Sequence, residues 1–266
     1  MEANRAGARW IDRMLALFGS DKEEESWRDR DPGDGISESD WYLVESLPFP
    51  RVEVADHRAM AERTRYRRRE SGYPIIVGSD EHLIRLAEQW VRQERDPTEI
   101  LAAADRLPMP ERLSDLRRRR GAKRGPPVGD WPEDEIMEDD SEPSLFRDPL
   151  TGALIEKAYL LLIPCRHGYE VPAYLNFGAW NSCPPPEYHV AAMREWNRRY
   201  GSELIALGGD VAVLQATSRP VLSGECLALA REHFDYCPDV LDLGYDNLST
   251  LAAFLKESDW WHFWWD

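Results

Sequence analysis

The chain ends in Trp260-Trp261-His262-Phe263-Trp264-Trp265-Asp266, four tryptophans, a phenylalanine and a histidine in seven residues. Each large aromatic ring buries so much apolar area that an undocked tail of this composition would be an exposed sticky patch. The terminus is therefore expected to form an aromatic edge of the core. Working back from it, Asn247 or Ser249 caps a helix, and a further helix runs from Ser223 to Tyr236. Glu203 to Leu207 and Val211 to Gln215 read as two strands across Gly208-Gly209-Asp210. His189, Met193, Trp196 and Tyr200 recur at helical spacing up to Gly201, which predicts a helix with one core-facing stripe.

Lys157 to Ile163 is a strand by composition. Alternation of Tyr169, Val171, Ala173, Leu175 and Phe177 predicts a second strand over 170–177, joined to the first through Arg166-His167-Gly168 as a hairpin. Upstream, Tyr73 to Gly78 reads as a strand feeding a helix over Glu81–Glu94. Pro97 opens another helix that Pro108 and Pro110 stop, and a third spans Glu111 to Arg119. The expected fold is α+β, a mixed or largely antiparallel sheet of about five strands with helices packed on it and an aromatic C-terminal strand.

Four segments follow from these patterns. Residues 1–70 are a charged extension, partly disordered, without a core of their own. Residues 71–120 are a strand and helices that dock on the main domain. Residues 121–147 are a proline-rich acidic linker; six basic residues from Arg117 to Arg124 run into its start, and seven acidic ones follow from Glu133 to Glu142. Residues 148–266 are the C-terminal α+β domain.

Composition narrows the function. Thirty-three Lys and Arg against 49 Asp and Glu give a net charge of −16 over 266 residues, which repels a phosphate backbone and argues against nucleic-acid binding. The longest apolar run, Ala158 to Cys165, is strand length, and Trp10 to Phe18 is too interrupted for a signal peptide, so no membrane association and a cytoplasmic location are expected. Without export, Cys165, Cys183, Cys226 and Cys237 are expected to remain thiols. The basic stretch Arg63 to Arg69 reads as a solvated helix face before it reads as a partner patch.

Trp180-Asn-Ser-Cys-Pro-Pro-Pro-Glu-Tyr-His189, Tyr236-Cys-Pro-Asp239 and the terminal Phe263-Trp-Trp-Asp266 together resemble the bacterial family called domain of unknown function 4253, over roughly residues 148–266. The stretch from Tyr73 to Leu113 is similar to the region upstream of that domain in many members. The family pattern carries a glutamine after the Tyr-Cys-Pro-Asp motif, where this chain has Leu243. The resemblance implies a bacterial, soluble, intracellular domain with no established activity.

Three readings compete for the motif residues. In the first, Cys183 to Pro186 is a rigid entry into a helix and His189 packs in the core with Met193 and Trp196. In the second, Cys183 is a nucleophile and His189 its general base, with Asn181 or the helix N-terminus stabilising an oxyanion and Glu187 or Asp239 orienting the histidine. In the third, Cys183, His189 and Cys237 bind zinc, with Asp239 or His262, but the close ligand pairs of structural zinc sites are missing, so neither metal nor cofactor is expected. Residues 151–266 carry 15 acidic against eight basic residues. That balance favours a non-enzymatic, immunity-like or accessory binder of a basic protein partner, gripping it through Trp180, Glu187, Tyr236, Asp239 and Asp266. The Cys-His hydrolase or transferase is the alternative.

Overall fold

Short and mostly continuous apolar runs build a six-stranded mixed sheet, and a computed structural model describes it over residues 38–69, 72–93, 95–119, 125–132 and 157–265. The strands are β1 (Arg51–Ala55), β2 (Tyr73–Val77), β3 (Lys157–Ile163), β4 (Glu203–Leu207), β5 (Val211–Gln215) and β6 (Trp260–Trp264). They lie in the order β1-β3-β2-β4-β5-β6, and β2 pairs parallel with β4 while every other neighbouring pair is antiparallel. The α+β expectation holds, and the aromatic terminus forms an edge strand in which Trp261 faces Leu214 and Phe263 faces Ala212.

Alternation sends the two sets of side chains to two layers. Ile75, Val77, Leu161, Leu204, Leu214, Trp261 and Phe263 enter the main core, under helices that include α3 (Asp80–Gln93), α7 (Pro186–Tyr200), α8 (Ser223–Tyr236) and α9 (Leu248–Glu257). Ile76, Leu160, Ile205 and Val213 point the other way, against Ala59, Met60 and Tyr66 of α2 (Ala59–Arg67). A third cluster joins Ile100 and Ala104 of α4 (Pro97–Ala104) to Val190 and Ala191 of α7, and α5 (Leu113–Arg119) packs on α8. No described helix is long and apolar enough to cross a membrane.

Two expectations fail for physical reasons. Residues 168–177 are not a strand: Gly168–Glu170 is a 3-10 turn, and Val171–Tyr174 a single helical turn, α6. Pro172 has no amide for a ladder, and the Glu170 carboxylate accepts from the amides of Arg166 and His167 at 3.0 Å each, which closes the chain into a turn. Burial of Val171, Pro172 and Ala173 in succession shows that the alternation was coincidental. The second failure concerns only the described part of residues 1–70, which was expected to be an extension without a core. Residues 38–69 contribute α1 (Glu38–Glu45) and β1, and Val44, Leu47 and Phe49 are buried in the main core. Residues 1–37 and the acidic run 133–142 lie outside the described residues. Of the stretch read as a linker, 125–132 is docked: the carbonyls of Pro127 and Val128 accept from the first amides of α9, Leu248 and Ser249, at 3.0 and 2.9 Å.

The basic stretch starts on α2 and is not solvated throughout. Arg63 is buried and donates to the Tyr73 hydroxyl at 2.7 Å and the Leu204 carbonyl at 3.3 Å, while Arg65 pairs with Glu62. Around Trp196 the core is almost wholly aromatic. Phe263 stacks on it at 5.6 Å, and His233, Tyr236 and Trp261 meet it edge-on. Its indole N–H donates to Glu232 at 2.9 Å, which also takes Arg199. Helix α7 ends at Gly201, whose φ of 60° closes it in the left-handed conformation.

His233 is 1% exposed, its Nε2 has no hydrogen-bond partner, and burial followed by the nearby Arg199 charge pushes its pKa down to about 3. Above pH ~6.5 the ring is neutral folded and unfolded, so it makes no contribution to pH dependence. As pH falls from there toward about 3, the unfolded chain takes up a proton that the native state refuses, and stability drops by ~1.4 kcal/mol per pH unit. Burial of His262 acts in the same direction, to about 4. His233→Phe is therefore expected to reduce the loss of urea stability between pH 7 and pH 4. An unchanged pH slope in the variant would contradict this.

Candidate functional site

Proline geometry sets the site. Pro184, Pro185 and Pro186 fix the chain extended into α7, Pro185 sits at φ −62° and ψ 154° as its N-cap, and the first amide hydrogen of the helix belongs to Glu187. Before the prolines the chain doubles back. The Cys183 amide donates to the Trp180 carbonyl at 2.8 Å, and the Ala179 amide to the Pro184 carbonyl at 2.9 Å. Three residues other than glycine in this stretch have positive φ, Asn176 at 50°, Ala179 at 66° and Asn181 at 41°, and Gly178 lies at 112°. Such conformations cost about 1–3 kcal/mol each and persist where surrounding contacts impose them. Here the Asn176 side chain brackets Arg95, accepting from its amide at 3.2 Å and donating to its carbonyl at 3.3 Å.

The doubled-back chain delivers Cys183 to His189. Sγ lies 3.4 Å from Nε2, and the other ring nitrogen, Nδ1, is 2.5 Å from the Tyr236 hydroxyl. Cys183 is 5% exposed, and His189 and Tyr236 are wholly buried. Phe177, Tyr236 and Trp265 meet the imidazole edge-on with centroids 4.9, 5.3 and 5.4 Å away, so its orientation is fixed from three sides. The arrangement is chemically a thiol hydrogen-bonded to an imidazole whose far nitrogen is held by a phenol.

The remaining sequence candidates separate. Asn181 is exposed on the turn and Trp180 half-buried beside it. Neither carboxylate named as an orienting acid bonds the ring in that role: Glu187 pairs with Arg95 at 2.9 Å, and Asp239 accepts from Ser182 Oγ at 3.0 Å, tying the turn to the 3-10 segment Pro238–Leu243. Tyr236, expected on a binding surface, is instead interior and occupies the orienting position. Cys237 directs its thiol to the Trp264 carbonyl at 3.0 Å. Among the described residues no group of three or more His, Cys, Asp and Glu side chains is placed to hold a metal ion, so Cys183, His189 and Cys237 do not form the set weighed for zinc. Asp266 lies outside the described residues.

Residues 159–266 match the family model described as a domain of unknown function, DUF4253, so the C-terminal part of the chain carries this domain. No curated protein and no solved structure matches the chain. The matched stretch contains Cys183, His189 and Tyr236, together with β4, β5 and β6 and β3 from Tyr159 onward.

Sequence reasoning passed over Gly178. A Cβ there would collide with the Pro184 carbonyl oxygen and stand 2.7 Å from His189 Nε2. Gly178→Ala combines that clash with an unfavourable φ, and is expected to cost on the order of 2 kcal/mol or more of stability. Urea denaturation measures it, and a loss below about 0.5 kcal/mol would show that the turn is not held as described.

Proposed function

We propose that the domain is a thiol-dependent hydrolase or transferase in which Cys183 is the nucleophile and His189 its general base, acting on an acyl group. The observation that carries this reading is the 3.4 Å approach of Cys183 Sγ to His189 Nε2, with the imidazole fixed from its other side. The left-handed turn that presents the thiol supports it, since strain of this kind concentrates at functional sites. In the reaction, Nε2 takes the thiol proton as Sγ bonds to the acyl carbon, and the imidazolium returns that proton to the departing group as the bond to it breaks. Water or an acceptor then releases the acyl group, with His189 as base again. After the three prolines, the Glu187 amide at the start of α7 is the first backbone N–H that follows Cys183, and this reading assigns it to the developing oxyanion. A bacterial cytoplasmic setting suits the four free cysteines and the family resemblance.

A second reading, an immunity-like or accessory factor that binds a basic protein, is favoured by the net charge of −16. Against it, Asp105, Glu187, Asp210, Glu232 and Asp235 already pair with the chain's own arginines. Under this reading Cys183→Ala retains function, whereas under the first it abolishes it.

p-Nitrophenyl acetate provides an acyl donor that needs no knowledge of the natural substrate. The protein is expected to release one equivalent of nitrophenolate rapidly and to retain acetyl on Cys183. Cys183→Ala should remove the burst, and His189→Gln should slow it by about 100-fold or more. No burst in the native protein, or an equal burst in Cys183→Ala, would sink the proposal.

A further inference from the structure

The Tyr236 hydroxyl stands where thiol and serine enzymes more often place a carboxylate or an amide, 2.5 Å from His189 Nδ1. A carboxylate can only accept at that nitrogen, which fixes the proton on Nδ1. A phenol can either donate or accept, so the two hydrogen bonds of the ring are coupled. If the phenol donates to Nδ1, Nε2 carries the hydrogen and points it at Cys183, and the ring cannot take the thiol proton. If Nδ1–H donates to the phenol oxygen, Nε2 presents its lone pair to the S–H and is a base.

Resting on the thiol-enzyme reading above, we infer that Tyr236 is a positioning residue that accepts from Nδ1–H of His189, holding the neutral imidazole with its Nε2 lone pair toward a protonated Cys183. Burial favours an uncharged array, and of the two neutral tautomers only Nδ1–H leaves Nε2 the lone pair that the thiol reading requires. His189 is wholly buried among Phe177, Tyr236 and Trp265, and Cys183 is 5% exposed, so a resting thiolate–imidazolium pair would leave two charges in a largely desolvated place with an uncharged phenol as the third member. The thiol–imidazole form needs no net charge at rest and separates charge only as substrate is attacked. Tyr236 is wholly buried at the end of α8, and Trp196, Phe263 and Trp265 meet its ring edge-on, so its hydroxyl has a fixed direction.

Nitrogen-15 NMR of the full chain, with labelled histidine, reads the tautomer directly. The native protein near pH 7 is expected to show His189 Nδ1 protonated and Nε2 unprotonated. Tyr236→Phe should lose that preference and move toward the Nε2–H form. Cys183 alkylation by iodoacetamide, followed by peptide mass spectrometry, should slow by about tenfold in the variant, the scale of losing one hydrogen bond to a developing imidazolium. A native His189 carrying its proton on Nε2, or both nitrogens protonated, overturns the inference whether or not the variant folds. The two proposals fail separately. Cys183 that reacts while Nε2 carries the proton overturns the role of Tyr236 and leaves the thiol reading standing. A Cys183 inert to iodoacetamide and to p-nitrophenyl acetate, beside an Nδ1–H tautomer, supports the hydrogen-bond assignment and overturns the enzyme.

Discussion

The packing of the C-terminal strand against helices α7 and α8 is the constraint on which the rest of the molecule depends. Phe263 stacks on Trp196, Trp261 meets Trp196 and His233, and Trp265 meets Phe177, His189 and Tyr236. Burying rings of this size stabilises by roughly 1.5–3 kcal/mol each, and their edge-on contacts add geometric preference beyond area. The same rings set the plane of the His189 imidazole and the direction of the Tyr236 hydroxyl. Core and candidate site are therefore one assembly, and a substitution in the terminal strand acts on both.

The sheet imposes a second dependence, between the two parts of the chain. The matched domain supplies β4, β5 and β6 and β3 from Tyr159 onward, but β3 and β4 are not neighbours. β2, from upstream, lies between them, antiparallel to β3 and parallel to β4. All five residues of β2 are buried. Arg63 reinforces the junction by donating both to Tyr73 of β2 and to the Leu204 carbonyl of β4. Without β2 the matched region would be left with two sheet fragments whose inner edges lack partners. The site region touches the same upstream part, since Asn176 brackets Arg95 and Glu187 pairs with it.

Much of the fold was legible because its signals are local. The helical stripe of His189, Met193, Trp196 and Tyr200, the cap at Asn247, the glycine stop at Gly201 and the docked aromatic terminus all depend on residues within one or two turns. β1 was not legible, since Arg51-Val-Glu-Val-Ala55 is short and flanked by charge, and it is a strand because β3 offers an edge. The segment 170–177 alternates like a strand, and only the Glu170 carboxylate and Pro172 decide otherwise. At the site, Cys183 and His189 were legible as a pair because they lie six positions apart. Tyr236 lies 47 residues beyond His189, and nothing in the sequence gives its hydroxyl a partner. The acids preferred for its role, Glu187 and Asp239, were chosen for charge and nearness in sequence, and tertiary structure gave both other partners.

Competition among the four thiols for a limiting electrophile tests the central claim most directly. Cys165 is more exposed than Cys183, Cys226 or Cys237, and desolvation raises its thiol pKa well above the ordinary value. If exposure alone governs, Cys165 reacts first. A thiol poised on a histidine base reverses that order, so sub-stoichiometric iodoacetamide at neutral pH should place its first label on Cys183. Labelling of Cys165 ahead of Cys183 would contradict a reactive Cys183 and leave the Cys183, His189 and Tyr236 array as core architecture.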